Sequence, residues 1–375
     1  MTAARVPSLS LGILLLALVP VSQPAAAQTS EVFVVAGVAV DATAETAAKA
    51  RDIALGQGQR QAAAILLHRL TRRADWGRLP DLADTETAEL VQSLEVAAEK
   101  TSTTRYLARL TFQFKSGAVR TLLRGRAIPY SETASRPVLV IPVYEAQGVQ
   151  LLWDDGNDWL AAWGRRPATD SLVPLVVPLG DLQDLAAIGV EDALAGQDAR
   201  LAAIKARYDA ASAAVVQARR TAPLDADKIA LDVSLVWYRD GGESQALVES
   251  FTGPAADGVR PLLDRVAAAV AARLEEVWKE ETLLRFDAET RLSVSLPLGS
   301  LGDWVRAARR LDAVAEIKRV ELAALSTGRA LLVLHYYGDP VQLTTALAQQ
   351  DLRLEQRDGY WTLTVAADGA AAAPE

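Results

Sequence analysis

The sequence predicts an α+β protein assembled from several small α/β modules. Three observations carry this expectation. They are Val-rich or alternating runs of strand length, Ala- and Leu-rich stretches at helical spacing, and a C-terminal element order of βαββαβ. A hydrophobic fraction of 50% and a charged fraction of 23% belong to a globular chain, and 375 residues predict two or three domains.

The first 27 residues stand apart. Arg5 is their one charge, an apolar run from Leu9 to Val21 follows, and Ala25-Ala26-Ala27 forms an A-x-A site before Gln28. This is the order of a secretory signal peptide, with cleavage expected after Ala27, and the apolar run is too short to span a bilayer. Losing Arg5 takes the formal charge from −8 to −9, which argues against a general affinity for nucleic acid or anionic lipid. No later stretch is apolar for long enough to cross a bilayer, so the expectation is a periplasmic chain with no integral membrane span.

A first domain, β-α-α-β-α, is expected over residues 28–132. EVFVVAGVAVDA reads as a strand, and a long helix follows in which Ala47, Ala50, Ala54, Ala62, Ile65 and Leu66 recur at helical spacing. Gly56 and Gly58 within it predict a kink or tight packing. Residues 87–101, TAELVQSLEVAAEKT, read as a second helix, RYLARLTFQFK as an alternating strand and SGAVRTLLRGRAI as a third helix. Ser131 to Ser135 reads as a polar linker.

A second domain is expected over residues 136–285. It opens with the apolar strand RPVLVIPVYE, continues through the strand-and-loop segment LVPLVVPLGDLQDL and the helix DARLAAIKARYDA, and then forms a three-stranded meander. Asp240-Gly241-Gly242 marks a hairpin turn, and a long helix closes the unit near Leu284. The third domain, residues 290–366, has the ferredoxin-like split βαβ order, with Ser300 and Asp339 as helix N-caps and a hairpin-like last strand bent at Asp358-Gly359. The tail, residues 367–375, is low-complexity and expected to be disordered.

The layout of residues 31–285 resembles the bacterial domain-of-unknown-function 2066 family. The similarity lies in the opening strand and its helix through LLHRLTRR, the YLARLTFQF strand, VRTLLRGRAIPY, RPVLVIPVYE, PLVVPLGDLQDL, IKARYDAASAAVVQAR and VSLVWYRDG. The resemblance implies an exported bacterial envelope protein and brings no catalytic residues with it.

The reactive groups are few. With no Cys and two His, thiol chemistry, iron–sulfur ligation, three-His sites and Cys-containing zinc motifs are excluded. Gly242-Glu243-Ser244-Gln245-Ala246 imitates a nucleophile elbow but lies between two strands, where that turn is not built. His68 and His335 read as packed or rim residues without a partner motif. Asp154, Asp155 and Asp158 crowd one loop, and Asp181 and Asp184 another, yet the spacing does not match a calcium loop, and Asp181 reads equally as a helix cap. Arginines 69, 72 and 73, and 306, 309 and 310, read as salt-bridged helix faces. Gly56-Gln57-Gly58 lies inside a helix and is no dinucleotide fingerprint.

Trp153, Trp159 and Trp163 fall within 11 residues and stand as the candidate partner or ligand surface, or else as a lid packed on the second domain. The functional expectation is therefore a non-catalytic periplasmic protein, without cofactor or metal, that mediates contacts with other envelope proteins. A glycan- or peptide-binding protein is the alternative, and an Asp-dependent hydrolase the second alternative.

Overall fold

The computed structural model describes residues 31–365, apart from 168–169, 224, 240–244, 285–288, 327 and 358. The expected signal peptide, the C-terminal tail, Ser244 and the expected turn at residues 240–242 lie outside the described residues. The architecture is α+β, with three sheets among the described residues.

The first sheet pairs β1 (Val34–Thr43) with β3 (Arg105–Phe114) and β3 with β2 (Val91–Thr101), all antiparallel, in the order β1-β3-β2. Helix α1 (Ala47–Leu70) lies across one face, and α2 (Asp84–Leu90) and α3 (Ser116–Gly125) flank the strands. The helix expected over residues 87–101 is helical only to Leu90 and then becomes β2. Its Glu, Ala and Lys residues favour helix locally. The ladder with β3 overrides them, and because β2 is an edge strand exposed along nearly its whole length, no burial period betrays it.

Helix α1 runs unbroken through both glycines, so the outcome is tight packing and not a kink. Ala50, Ala54, Gly58, Ala62 and Leu66 form a buried ridge at i, i+4 spacing that seats the helix on the sheet. A Cβ at Gly58 would stand 2.7 Å from Val40 Cγ1 and 2.9 Å from Leu110 Cδ1, whereas one at Gly56 meets nothing closer than 3.8 Å. The two glycines should therefore respond oppositely to alanine. Gly56→Ala is expected to stabilise by up to ~1 kcal/mol through helix propensity. Gly58→Ala is expected to destabilise by roughly 1–2 kcal/mol, because overpacking exceeds the same gain. Urea denaturation of the two variants checks the signs.

The second sheet has the order β5-β4-β7-β8-β9, from β4 (Val138–Ala146), β5 (Val149–Leu151), β6 (Leu175–Val176), β7 (Ser212–Thr221), β8 (Lys228–Arg239) and β9 (Gln245–Pro254), with β6 parallel to the start of β4. β4 and β7 are parallel, joined through α4 (Asp158–Arg165), α5 (Leu182–Ala187), α6 (Val190–Leu194) and α7 (Asp198–Arg207). β7, β8 and β9 form the expected meander, and α8 (Val259–Glu281) is the expected closing helix. β4 is buried on both faces, which is why it reads as a continuous apolar run. Val138 and Val140 join an apolar core that is continuous from Val32 to Leu284, while Leu139, Ile141 and Val143 face a separate cluster under α6 and α7.

The third sheet has the order β11-β12-β10-β14-β13. It is built from β10 (Glu289–Pro297), α9 (Leu301–Asp312), β11 (Ile317–Ser326), β12 (Arg329–Tyr337), α10 (Pro340–Gln349), β13 (Leu352–Arg357) and β14 (Tyr360–Val365). Ser300 and Asp339 cap α9 and α10 as their spacing predicts. The hairpin-like last segment is two antiparallel strands, β13 and β14, with Asp358 of the expected bend outside the described residues, and its pairing departs from the ferredoxin-like expectation. Its second strand, β14, is the one that meets β10, and it does so in parallel register at Val294↔Trp361.

Residues 131–135 are not a solvated linker. Ser131, Glu132, Thr133 and Ser135 are buried where all three sheet units meet, and their polar groups are bonded to each of them. The Ser131 amide donates to Leu70 O (2.8 Å), and its hydroxyl pairs with that of Thr282 (2.6 Å). Trp278 Nε1 donates to Thr133 O (2.6 Å), and the Thr133 hydroxyl donates to Glu316 Oε1 (2.7 Å). These side chains are polar because buried backbone and side-chain groups need partners, not because they face water.

Candidate functional site

Trp159 and Trp163 are fully buried, edge to face at 5.5 Å, and Trp159 Nε1 donates to Val216 O (3.0 Å). They bind α4 to the face of the second sheet that α8 covers. This corrects the reading of Trp153, Trp159 and Trp163 as one surface. Trp153 alone stays half-exposed, with its Nε1 donating to Ile188 O (2.9 Å).

The two acidic loops lie side by side. Trp153 joins them, since its ring lies 3.6 Å from the position a Cβ would take at Gly180. Most of their carboxylates are already engaged. Asp158 pairs with Arg260 across α4 and α8 (3.1 Å), and Asn157, which the sequence reading passed over, caps α4 through the Trp159 and Leu160 amides. Asp181 caps α5 by accepting from the Gln183 and Asp184 amides. Those backbone bonds, with Arg207, hold its carboxyl below the ordinary carboxylate range.

Asp184 is completely buried. It accepts from the Gly180 amide (2.8 Å) and the Tyr208 hydroxyl (2.7 Å), and Arg207 Nε lies 2.8 Å from its other oxygen as an ion pair. Burial pushes the Tyr208 hydroxyl pKa up, so it stays protonated as the donor. The same hydroxyl accepts from the Leu179 amide (2.9 Å).

The result is an inverted segment. Asp184 points inward and anchors residues 179–185, with Asp181 capping α5 at the surface, while Leu179, Leu182 and Leu185 face solvent at 78%, 84% and 52% exposure. Leu182 and Leu185 are one helical turn apart on α5, and Leu179 precedes them by the same interval. Single exposed apolar residues are ordinary, and Val248, Val341 and Tyr360 are such cases on separate elements. Three on one short, rigidly braced segment are a presented patch.

The other candidates are structural. His68 stacks on Trp76 at 4.1 Å, its pKa held low by burial and by the nearby Lys279 charge. His335 is buried on the third sheet. Its Nε2 lies 2.9 Å from Arg319 Nη2 and 3.4 Å from Glu321 Oε2, and its Nδ1 lies 3.0 Å from Glu289 Oε1. Both nitrogens are engaged with neighbouring side chains. Arg69 is buried and donates to Val32 O, Val34 O and Asp170 O, Arg72 pairs with Asp75, and Arg306 pairs with Asp303. Among the described residues no group of three or more His, Asp or Glu side chains could hold a metal ion, and no helix is long and apolar enough to cross a membrane.

No protein-family model matches this chain, and no curated protein matches it. Among solved structures, the lipoprotein GNA1162 from Neisseria meningitidis is similar at 15% identity and a TM-score of 0.24, over 37% of this chain and 97% of that one. A formyltetrahydrofolate deformylase from Burkholderia mallei is similar at 14% identity and a TM-score of 0.19, over 64% of this chain and 90% of that one. At those scores neither likeness carries a conclusion about fold or function.

Proposed function

We propose that the chain is a non-catalytic exported protein, delivered to the periplasm by residues 1–27, that works by binding other proteins of the cell envelope. The observation that supports this reading is the leucine patch of residues 179–185, held outward by the buried Asp184. Moving each leucine from water into an interface would contribute about 1.5–3 kcal/mol, enough for three together to anchor a partner. The alternatives have less support. Two of the three indoles a glycan platform would need are in the core, and a carboxylate pair spanning the two loops would have to include Asp181 or Asp184, which are engaged as a helix cap and with Arg207.

The test is parallel capture. The tagged mature chain and its Leu182→Ser/Leu185→Ser variant are incubated with periplasmic extract. The expected result is a stoichiometric partner retained by the first and lost by the second, with equal melting temperatures because both leucines lie outside the core. A partner held equally by both, or by neither, sinks the proposal.

A further inference from the structure

We infer that the partner bound by the leucine patch presents an apolar segment flanked by Lys and Arg side chains; this rests on the binding role proposed above and specifies its chemistry. The patch is bordered by Asp154 and Asp155, which follow Trp153 directly and are brought to the loop by its contact with Gly180. Both are exposed, and neither makes an ion pair among the described residues. Exposed Glu191 follows on α6, just beyond Ile188, whose carbonyl accepts from Trp153.

The nearby arginines do not offset this charge. Arg207 is committed to Asp181 and Asp184, Arg200 to Asp192 and Arg260 to Asp158. An apolar centre with an unbalanced acidic border selects a complementary basic border, mainly through association rate and rejection of acidic competitors. The same border disfavours anionic lipid. It disfavours self-pairing as well, because two copies meeting through this patch would bring their acids together.

The test uses the full mature chain and two dye-labelled amphipathic helical peptides with the same leucine face, one flanked by Lys and Arg and the other by Glu, read by fluorescence anisotropy. The basic peptide is expected to bind at least ~10-fold more tightly, with the gap closing at high salt. Asp154→Asn/Asp155→Asn should abolish the preference, and Leu182→Ser/Leu185→Ser should weaken both peptides. Equal affinity for the two peptides, with the leucine dependence kept, overturns the charge selection and leaves the binding role standing. Indifference to the leucine substitutions overturns both. Leucine-dependent sedimentation with anionic phospholipid vesicles, or leucine-dependent dimerisation, overturns the assignment to a basic protein segment.

Discussion

Glu316→Gln is expected to stabilise the folded chain at about pH 8 by roughly 3 kcal/mol and to change it little at about pH 4.5. Glu316 is buried at the three-unit junction, with the Thr133 hydroxyl on one oxygen and no partner for the other among the described residues. Burial, together with the neighbouring Glu132 charge, raises its pKa from 4.5 to about 7, and the Thr133 bond offsets this only in part. Glu132 has Arg120 as its own counter-charge, whereas no ion pair reaches Glu316 among the described residues.

The folded chain therefore prefers the neutral acid, and between the unfolded and folded values it binds more protons than the unfolded chain does. Stability from this site is fully present below about 4.5 and is lost as pH rises through about 7. Glutamine keeps the acceptor for Thr133 and removes the ionisation. Urea denaturation of both proteins across this range should give curves that converge in acid and separate towards neutrality. Parallel curves would refute the assignment of the junction as the titrating site.

Lys279→Met is expected to cost about 3–5 kcal/mol, whereas Lys49→Met should cost less than ~0.5 kcal/mol. Each lysine is paired with a glutamate at i, i−4, and the difference lies in burial. Lys49 is 63% exposed beside Glu45, but Lys279 is 2% exposed. Its ammonium donates to the His68 and Thr71 carbonyls at the end of α1 (2.9 and 3.0 Å) while pairing with Glu275 at 3.0 Å and lying 3.8 Å from Glu276. Methionine fills the space but leaves two carbonyls and two carboxylates facing one another without a cation. The lost charge has a second readout. His68, whose pKa Lys279 helps to hold down, should titrate higher by NMR in the variant. Equal effects of the two substitutions would show that the buried ammonium contributes nothing beyond a surface pair.

Both expectations concern groups that composition alone does not mark, and the same division runs through the fold. Elements whose burial is periodic were legible, among them α1 with its Ala ridge, the β7–β8–β9 meander, α8, and the capped helices α9 and α10. β2 was not, because an edge strand with both faces exposed carries no period, leaving only helix-forming residues to read. The last segment reads as one hairpin-like strand, and its sequence does not reveal which part of it meets β10. Ser131 to Ser135 was misread for a related reason: polar side chains indicate hydrogen-bond partners, and sequence does not say whether those partners are water or protein. The candidate site failed in both directions. Trp159 and Trp163 follow the general preference of large aromatics for the interior, while PLGDLQDL reverses the usual sorting, with Asp184 buried and its leucines outside.

The buried strap also constrains how the molecule can be made. Ser131 meets Thr282, 151 positions later, and Thr133 meets Glu316, 183 positions later. A chain delivered N-terminus first, from a ribosome or through a translocation pore, presents the strap long before α8 and the third sheet unit arrive to cover it. The first sheet can form early, but its underside must wait with unpaired hydroxyls and an open apolar edge until more than half of the remaining chain has emerged. Closure late in delivery, with slow folding set by these distant contacts, is the kinetic signature this arrangement imposes.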